Sequence, residues 1–482
     1  MSDNIKSKMI GTLAWTSIDR FGQQVVQLVI GIALARLLSP DDYSLIALVM
    51  IFITLANTLI DGGFGNALVR KQDANELDFN TVFYFNTIVS GILYLVLYFI
   101  APHIASFYDE PKLTLVARVV FLAIIFNAFY LISNVKLAKA LNFKTSAFVN
   151  ISAVFLSGIV GITVALKGFG VWALVSQQLT FPFFRAVIAY CKIDWKPRLM
   201  FSFAIIKGFF SYSISLLGTS ILNTIFLYIY VLIVGKFFPK QEVGFYYQAN
   251  KLNESVNFSF QAILGNSYHV FVKIQDDTDR FRRVFRELVR NSSVLILPLL
   301  LVLIVIADPL IHTMLSAKWA PSIPYFQLLC LASLFNSMYT ISISALNARG
   351  NSKFTFGIEI FKKVLTLVSI FAFLKYGISW LLVGFALANW MATLASIIVI
   401  KRELNHFWRH QLADFLPSLL IGILLVVSSY GWLHLGWYKH YILLAQLITG
   451  GVVYLVSVRI VYPTLFKNVV SGIWGKLQAL KK

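Results

Sequence analysis

Between residue 9 and residue 462 the chain is a succession of apolar runs, each closed by charge, proline or glycine. A bilayer-crossing helix needs about 20 mostly apolar residues. Lipid offers no hydrogen-bond partner to open backbone, so runs of this kind must be helical. The pattern dictates an all-α polytopic membrane protein. Fourteen spans are expected, at 11–36, 42–61, 81–105, 113–133, 147–166, 170–191, 204–235, 242–264, 292–315, 323–347, 354–375, 378–400, 412–433 and 438–462. The eighth is the least apolar, interrupted by Gln248, Asn250, Lys251, Asn253, Glu254, Asn257 and Gln261.

Composition narrows the class further. Charged residues make up 13%, against about 25% in soluble domains, which excludes a soluble enzyme, a disordered chain and a disulfide scaffold. Cys191 and Cys330 have neither framework nor metal-ligand spacing and read as small apolar fillers. After MSDNIKSKM, Asp19 and Arg20 break the first run and no small-residue cleavage site follows, so a cleaved leader is not expected.

The formal net charge is +20. In a soluble chain this would point to nucleic acid, but Lys and Arg also collect in the cytoplasmic loops of membrane proteins. Fourteen is even, which puts both termini on one side. With the termini inside, the inner segments hold 25 Lys and Arg and the outer segments 8. That asymmetry places both termini in the cytoplasm and leaves no role for nucleic acid.

The chain also repeats. At an offset of 200, ALARLLSPDDY lies over LIVGKFFPKQEV, matching Arg36 with Lys236, Asp42 with Glu242, Asn57 with Asn257 and Gly65 with Gly265. At an offset of 209, residues 121–144 lie over 330–353, matching Asn127 with Asn336, Tyr130 with Tyr339 and Asn142 with Asn351. A repeat of six spans gives both copies the same membrane orientation, related by an axis along the membrane normal. The expected organisation is an N-lobe at 1–191, a basic cytoplasmic linker at 192–203 and a C-lobe at 204–402. Two appended helices and a basic tail follow at 403–482. Two like lobes facing a central site are a transporter architecture.

Ionisable groups at membrane depth cost about 2.5–3.5 kcal/mol each on insertion scales and therefore face a bundle interior or a wet cavity. The first span carries Arg20, Gln24 and Gln27 at helical spacing, with Asp19 and Gln23 beside them. The second span ends on Asp61. The eighth carries Lys251 and Glu254 near its middle, with Asn257 and Gln261 extending the stripe, and the eleventh carries Glu359, Lys362 and Lys363. These residues form the candidate site. A second reading is internal neutralisation: Asp19 or Asp61 with Arg20, Lys251 with Glu254, Glu359 with Lys363. Arg118, Arg185 and Lys207 lie within about two turns of span ends, where such side chains reach for the interface.

No phosphate-binding loop of the form GxxxxGK[ST] is present, so ATP hydrolysis is not expected, and no resident cofactor or metal is called for. His406 and His410 have helical spacing but no third ligand. Asp277-Thr278-Asp279 and Ser39-Pro40-Asp41-Asp42 read as helix starts. No outer loop is large enough for a catalytic domain.

The stretches ARLLSPDDYSLIALV, LIDGGFGNALVRKQ and FNTVFYFNTIVSGILYLVLYFIAPHIASFYDEP resemble the polysaccharide-repeat-unit flippases. The likeness is to the Wzx group, especially its colanic-acid-type branch, within the multidrug/oligosaccharidyl-lipid/polysaccharide exporter superfamily. One departure is Ser44, where the repeat counterpart Gly244 supplies glycine. The resemblance implies that the substrate is undecaprenyl-pyrophosphate-linked oligosaccharide. It would be moved across a bacterial cytoplasmic membrane by alternating access, for O-antigen, capsule or exopolysaccharide, beside a polymerase and chain-length machinery. Arg20, Lys251, Lys362 and Lys363 would then meet the pyrophosphate. Asp19, Asp61, Glu254 and Glu359 would set their geometry or couple an ion, H+ or Na+. A cation-coupled drug antiporter of the same superfamily is the first alternative, with acidic rather than basic deep sites. A membrane glycan polymerase is the second, and would need a large outer loop.

Overall fold

The computed structural model describes residues 2–265, 267–404, 408–434, 437–463 and 466–467, with side chains described except at 2–14, 211–216, 259, 261–263, 404 and 408–412. Among the described residues the secondary structure is entirely helical. The helices are α1 (Ser2–Leu37), α2 (Pro40–Asp61), α3 (Phe64–Arg70), α4 (Glu76–Phe107), α5 (Lys112–Val120), α6 (Ala123–Lys139), α7 (Phe143–Leu166), α8 (Trp172–Lys192) and α9 (Phe203–Phe237). They continue with α10 (Lys240–Leu264), α11 (Ser267–Val272), α12 (Thr278–Met314), α13 (Ile323–Ser333), α14 (Asn336–Ala348), α15 (Ser352–Phe373), α16 (Ile378–Leu404), α17 (Trp408–Tyr430) and α18 (Lys439–Val461). Contacts divide the chain into two compact units, Met1–Tyr247 and Gln248–Lys482.

Ten helical segments among the described residues are long and apolar enough to cross a membrane. The expected spans at 11–36, 170–191, 242–264 and 354–375 fall on α1, α8, α10 and α15, which lie outside that set. The reason is in their sequences. These helices carry Asp19 and Arg20, Arg185, Lys251 and Glu254, and Glu359 with Lys362 and Lys363. The least apolar helices thus carry most of the ionisable residues singled out from the sequence.

Local signals fix the helix ends. Ser39 caps α2 in a reciprocal box: its backbone N–H donates to Asp42 at 2.9 Å, and the Asp42 N–H donates back to its hydroxyl at 3.3 Å. The far end of α2 breaks at Gly62 and Gly63, whose φ values of 45° and 78° L side chains rarely adopt, so only these two residues separate Asp61 from the start of α3. Asp277 caps α12, accepting from the Arg280 N–H at 2.9 Å, which is the helix-start role expected of that acidic triplet.

In the first unit α7 packs along α1 and α8, α6 lies against α8 and α4, and α2 runs along α9. The segment at 192–203 is fastened to the start of α4. Trp195 is buried and its indole N–H donates to Glu76 at 2.8 Å, the Arg198 N–H donates to Asn80 at 2.6 Å, and the Ser202 N–H donates to Thr81 at 3.2 Å. Close approach governs one further point. A Cβ built on Gly244 would stand 2.0 Å from the carbonyl oxygen of Pro40, a backbone atom that cannot rotate away.

Prolines inside helices free carbonyls four residues back, and side chains from neighbouring helices meet them. Pro102 in α4 leaves the Tyr98 carbonyl without its intrahelical donor. Arg118 supplies one at 3.3 Å, with its guanidinium 4.2 Å above the Tyr98 ring. Arg118 is therefore turned inward rather than toward the interface. In the second unit, Pro298 in α12 frees the Val294 carbonyl and the Tyr454 hydroxyl donates to it at 3.3 Å. Near Pro309, Gln327 donates to the Ile304 carbonyl at 2.8 Å. Gln327 lies 209 residues beyond Arg118, the offset of the second repeat block.

The rest of the second unit is organised by α12, which packs on α13, α17 and α18, while α15 pairs with α16. Val294, Ile421, Leu425, Val458 and Tyr462 form the apolar seam that holds α17 and α18 to α12. Cys330 is buried, as a filler should be. Cys191 is exposed at the end of α8 and fills nothing.

Candidate functional site

The first unit holds an open cavity of about 760 Å³ walled by α2, α3, α6, α8 and the first half of α9. Its lining is mostly amide, hydroxyl and glycine, with one carboxylate and one guanidinium: Asn57, Asn66, Asn127, Asn134, Thr54, Thr58, Tyr130, Ser220, Asp61 and Arg185. Arg185 gives the cavity its sign. It donates to Asn127 at 2.6 Å, and its guanidinium stands 4.2 Å over Tyr130 and 5.1 Å over Phe181. Its Nε is buried without a partner, and no carboxylate forms an ion pair with it among the described residues. A guanidinium positioned by an amide and two rings, with donors to spare, suits an incoming anion.

A relay of hydrogen bonds supports the ring under Arg185. The Tyr130 hydroxyl lies 3.3 Å from the Asn134 side-chain oxygen and 3.4 Å from that of Asn150. Asn150 in turn donates to Asp19 on α1 at 3.1 Å, and Gln23 donates to the same carboxylate at 2.7 Å. The orphaned Oδ1 of Asn57 is a buried acceptor in the same wall. On α2, Thr54 and Thr58 meet Tyr228 and Thr224 of α9 at 3.1 and 3.4 Å.

Of the residues singled out from sequence in this unit, Asp61 lines the cavity and Asp19 stands behind Tyr130 in the relay. Arg20 is exposed, is not among the lining residues, and has no ion-pair partner among the described residues. Gln24 and Gln27 also lie outside the lining, one half-buried and one exposed. Neutralisation of Arg20 by Asp19 or Asp61 is not what the structure shows, because Asp19 is held by amides instead. Arg185, read from sequence as reaching for the interface, lines the cavity.

In the second unit the candidates fall on α10 and α15. Asn250 donates to Glu254 at 2.8 Å, and Lys251 is half-buried without an ion pair to it. Asn257 donates to Asn253 and to Ser333 of α13, while its Oδ1 is buried and orphaned, as that of Asn57 is in the first unit. The side chain of Gln261 lies outside the described residues. Glu359 accepts from the Tyr339 hydroxyl rather than from Lys363, and Lys362 places its ammonium 4.8 Å over the same ring.

The two tyrosines are 209 residues apart, as are Asn150 and Glu359. Each tyrosine thus bonds to the residue twenty positions on and carries a cation over its face, Arg185 in one unit and Lys362 in the other. No group of three His, Cys, Asp or Glu able to hold a metal occurs among the described residues.

A long polytopic helical bundle of this kind has known counterparts. The chain superposes on the lipid II flippase MurJ in an inward closed conformation with a TM-score of 0.72 at 17% identity, covering 93% of this chain and 99% of that one. An inward-facing multidrug resistance MATE family transporter of the MOP superfamily superposes at 0.64 and 15% identity, covering 80% and 94%. At 17% and 15% identity these likenesses show the fold, a multi-pass helical membrane bundle.

A family model described as polysaccharide biosynthesis protein matches residues 33–324, and the chain belongs to that family. Among its relatives, the teichuronic acid biosynthesis protein TuaB of Bacillus subtilis (strain 168) is 22% identical over 473 residues, 95% of this chain and 97% of TuaB. The lipopolysaccharide biosynthesis protein WzxC of Escherichia coli (strain K12) is 24% identical over 444 residues, 88% of each. The succinoglycan biosynthesis transport protein ExoT of Rhizobium meliloti (strain 1021) is 22% identical over 334 residues, 69% of this chain and 68% of ExoT.

Proposed function

We propose that the protein is a flippase that moves undecaprenyl-pyrophosphate-linked oligosaccharide from the inner to the outer leaflet of a bacterial cytoplasmic membrane, for surface polysaccharide synthesis. The observation that carries this reading is the first-unit cavity, where one guanidinium without a carboxylate partner stands among amides and an aromatic ring. Amides and rings suit sugar hydroxyls and pyranose faces, and the guanidinium suits a phosphate. The biosynthetic relatives, all named for cell-surface glycans or their export, support the same substrate class.

In this reading the membrane plan is fourteen spans with both termini cytoplasmic. The lobes are 1–191 and 204–402, the linker is 192–203, and α17 and α18 are appended. Alternating access of the lobes exposes Arg185, Lys251, Lys362 and Lys363 first to one side and then to the other. Arg20 would meet the pyrophosphate at entry, and the lipid tail stays in the bilayer. Asp61, Glu254 and Glu359 position these cations or couple an ion. A polymerase and chain-length machinery would take the delivered units.

The test is the leaflet location of lipid-linked oligosaccharide in cells lacking the protein. Accumulation on the inner leaflet with loss of surface polysaccharide is the expected result. Single units gathering on the outer leaflet would mean translocation is intact and would point to a polymerase. Unchanged lipid-linked sugar with new sensitivity to cationic drugs would point to an antiporter.

A further inference from the structure

The first three turns of α12 are amphipathic. Phe281, Phe285 and Val289 are buried, while Arg283, Glu287 and Arg290 are exposed. Between these turns and α17 lies a cleft of about 280 Å³, lined by Arg283, Arg286, Glu287, Arg290 and Asp414. The charges in it are not equivalent. Asp414 is buried and takes two hydrogen bonds from Arg286, at 2.8 and 2.9 Å, so that pair is closed and ties α12 to α17. Arg283 and Arg290 form no ion pair among the described residues. Arg290 stands 5.9 Å over the ring of Tyr462, just past the end of α18. Glu287 is the one remaining carboxylate lining the cleft among the described residues.

The position of the cleft says what kind of anion would use it. Arg290 is the last charge before the apolar stretch that runs to Ala307, so the cleft sits where that helix enters the hydrocarbon. One to two turns further in, Leu295 and Leu299 on α12 and Leu416 and Leu420 on α17 are exposed. Two unneutralised guanidinium groups at the headgroup level with bare apolar surface just beyond are complementary to an amphipathic anion. A basic count alone would follow from the loop-charge bias of membrane proteins. The closed Arg286–Asp414 pair and the ring beneath Arg290 make this a built cleft.

We propose that this cleft binds the phosphate of an anionic phospholipid of the phosphatidylglycerol or cardiolipin class. Arg283 and Arg290 ligate the phosphate, Arg286 and Asp414 hold the cleft open, and Glu287 limits the affinity. The bound lipid wedges α17 and α18 against α12 at the membrane surface.

The experiment is native mass spectrometry of the purified full-length protein, titrated separately with phosphatidylglycerol, cardiolipin, phosphatidylcholine, polyprenyl phosphate and inorganic phosphate. Preferential retention of the two anionic phospholipids is expected. The double variant R283Q/R290Q should weaken that binding roughly thirtyfold, as two basic groups near a lipid headgroup would, and E287Q should strengthen it. Both variants change exposed residues and leave the Arg286–Asp414 pair intact, and equal melting temperatures in lipid-free detergent verify their folding. Equal retention of phosphatidylcholine, or an unchanged double variant, would overturn the proposal. Displacement by inorganic phosphate at matched concentration would reduce the cleft to a free-anion site, and preference for polyprenyl phosphate would reassign it to the transported class.

Discussion

Arg185 is the residue on which the site turns. A hydrogen bond to a charged group is worth about 1.5–3 kcal/mol, or roughly ten- to a hundredfold in binding. Arg185→Gln should therefore cut delivery of lipid-linked sugar at least tenfold at normal protein level. Arg185→Lys should recover only part, because a point charge cannot reproduce a fork held by Asn127 and stacked on Tyr130. Lys251→Ala and Lys362→Ala, assayed alike, should also lower delivery; a variant with full transport would remove its residue from the site. The candidate stripes on α1, α10 and α15 were legible because a charge in an apolar run stands out. Arg185 stood out too, but its distance from the span end matched that of an interface-seeking side chain. What decides between the two is the partner Asn127, on another helix 58 residues away. The repeat had already matched Tyr130 with Tyr339, and extending the same offset to Asn150 and Glu359 would have exposed the shared tyrosine site.

At the scale of the helix, the informative features are where regular structure is interrupted. Caps were readable from Ser39 and Asp277 because their signals are local. The fate of a proline-freed carbonyl was not, since the donor comes from another helix. Tyr454→Phe should cost about 1 kcal/mol, the net value of one hydrogen bond, and should show as a lowered melting temperature. Glycines give a paired prediction. Ala is favoured over Gly by about 0.8–1.0 kcal/mol in a helix interior, so Gly91→Ala, with nothing within 4 Å of its Cβ, should stabilise. Gly244→Ala should destabilise, because its Cβ would lie 2.0 Å from a backbone oxygen and overpacking costs about 1–3 kcal/mol. The repeat aligned Ser44 with Gly244, and the contact gives the reason for the difference. Ser44 turns its hydroxyl to the Asp41 carbonyl at 2.7 Å, whereas Gly244 has no room for a side chain.

For the molecule as a whole, the open quantity is topology. Apolar length alone reaches ten crossings among the described residues, because α1, α8, α10 and α15 spend their hydropathy on charged and amide side chains. Fourteen crossings with cytoplasmic termini predict opposite labelling of two single cysteines in a background lacking Cys191 and Cys330. Lys112→Cys should react with an impermeant maleimide from outside, and Asp276→Cys only after the membrane is opened. Reaction of both from the same side would break the plan.

The segment 192–203 carries one more consequence. A protease must draw its substrate chain into an extended form, and this stretch offers trypsin Lys192 and Arg198, the bond after Lys196 being closed to it by Pro197. With Trp195 buried on Glu76 and two backbone amides committed to Asn80 and Thr81, it should survive digestion of inverted membrane vesicles. Asn80→Ala or Trp195→Phe should turn it into a nick site.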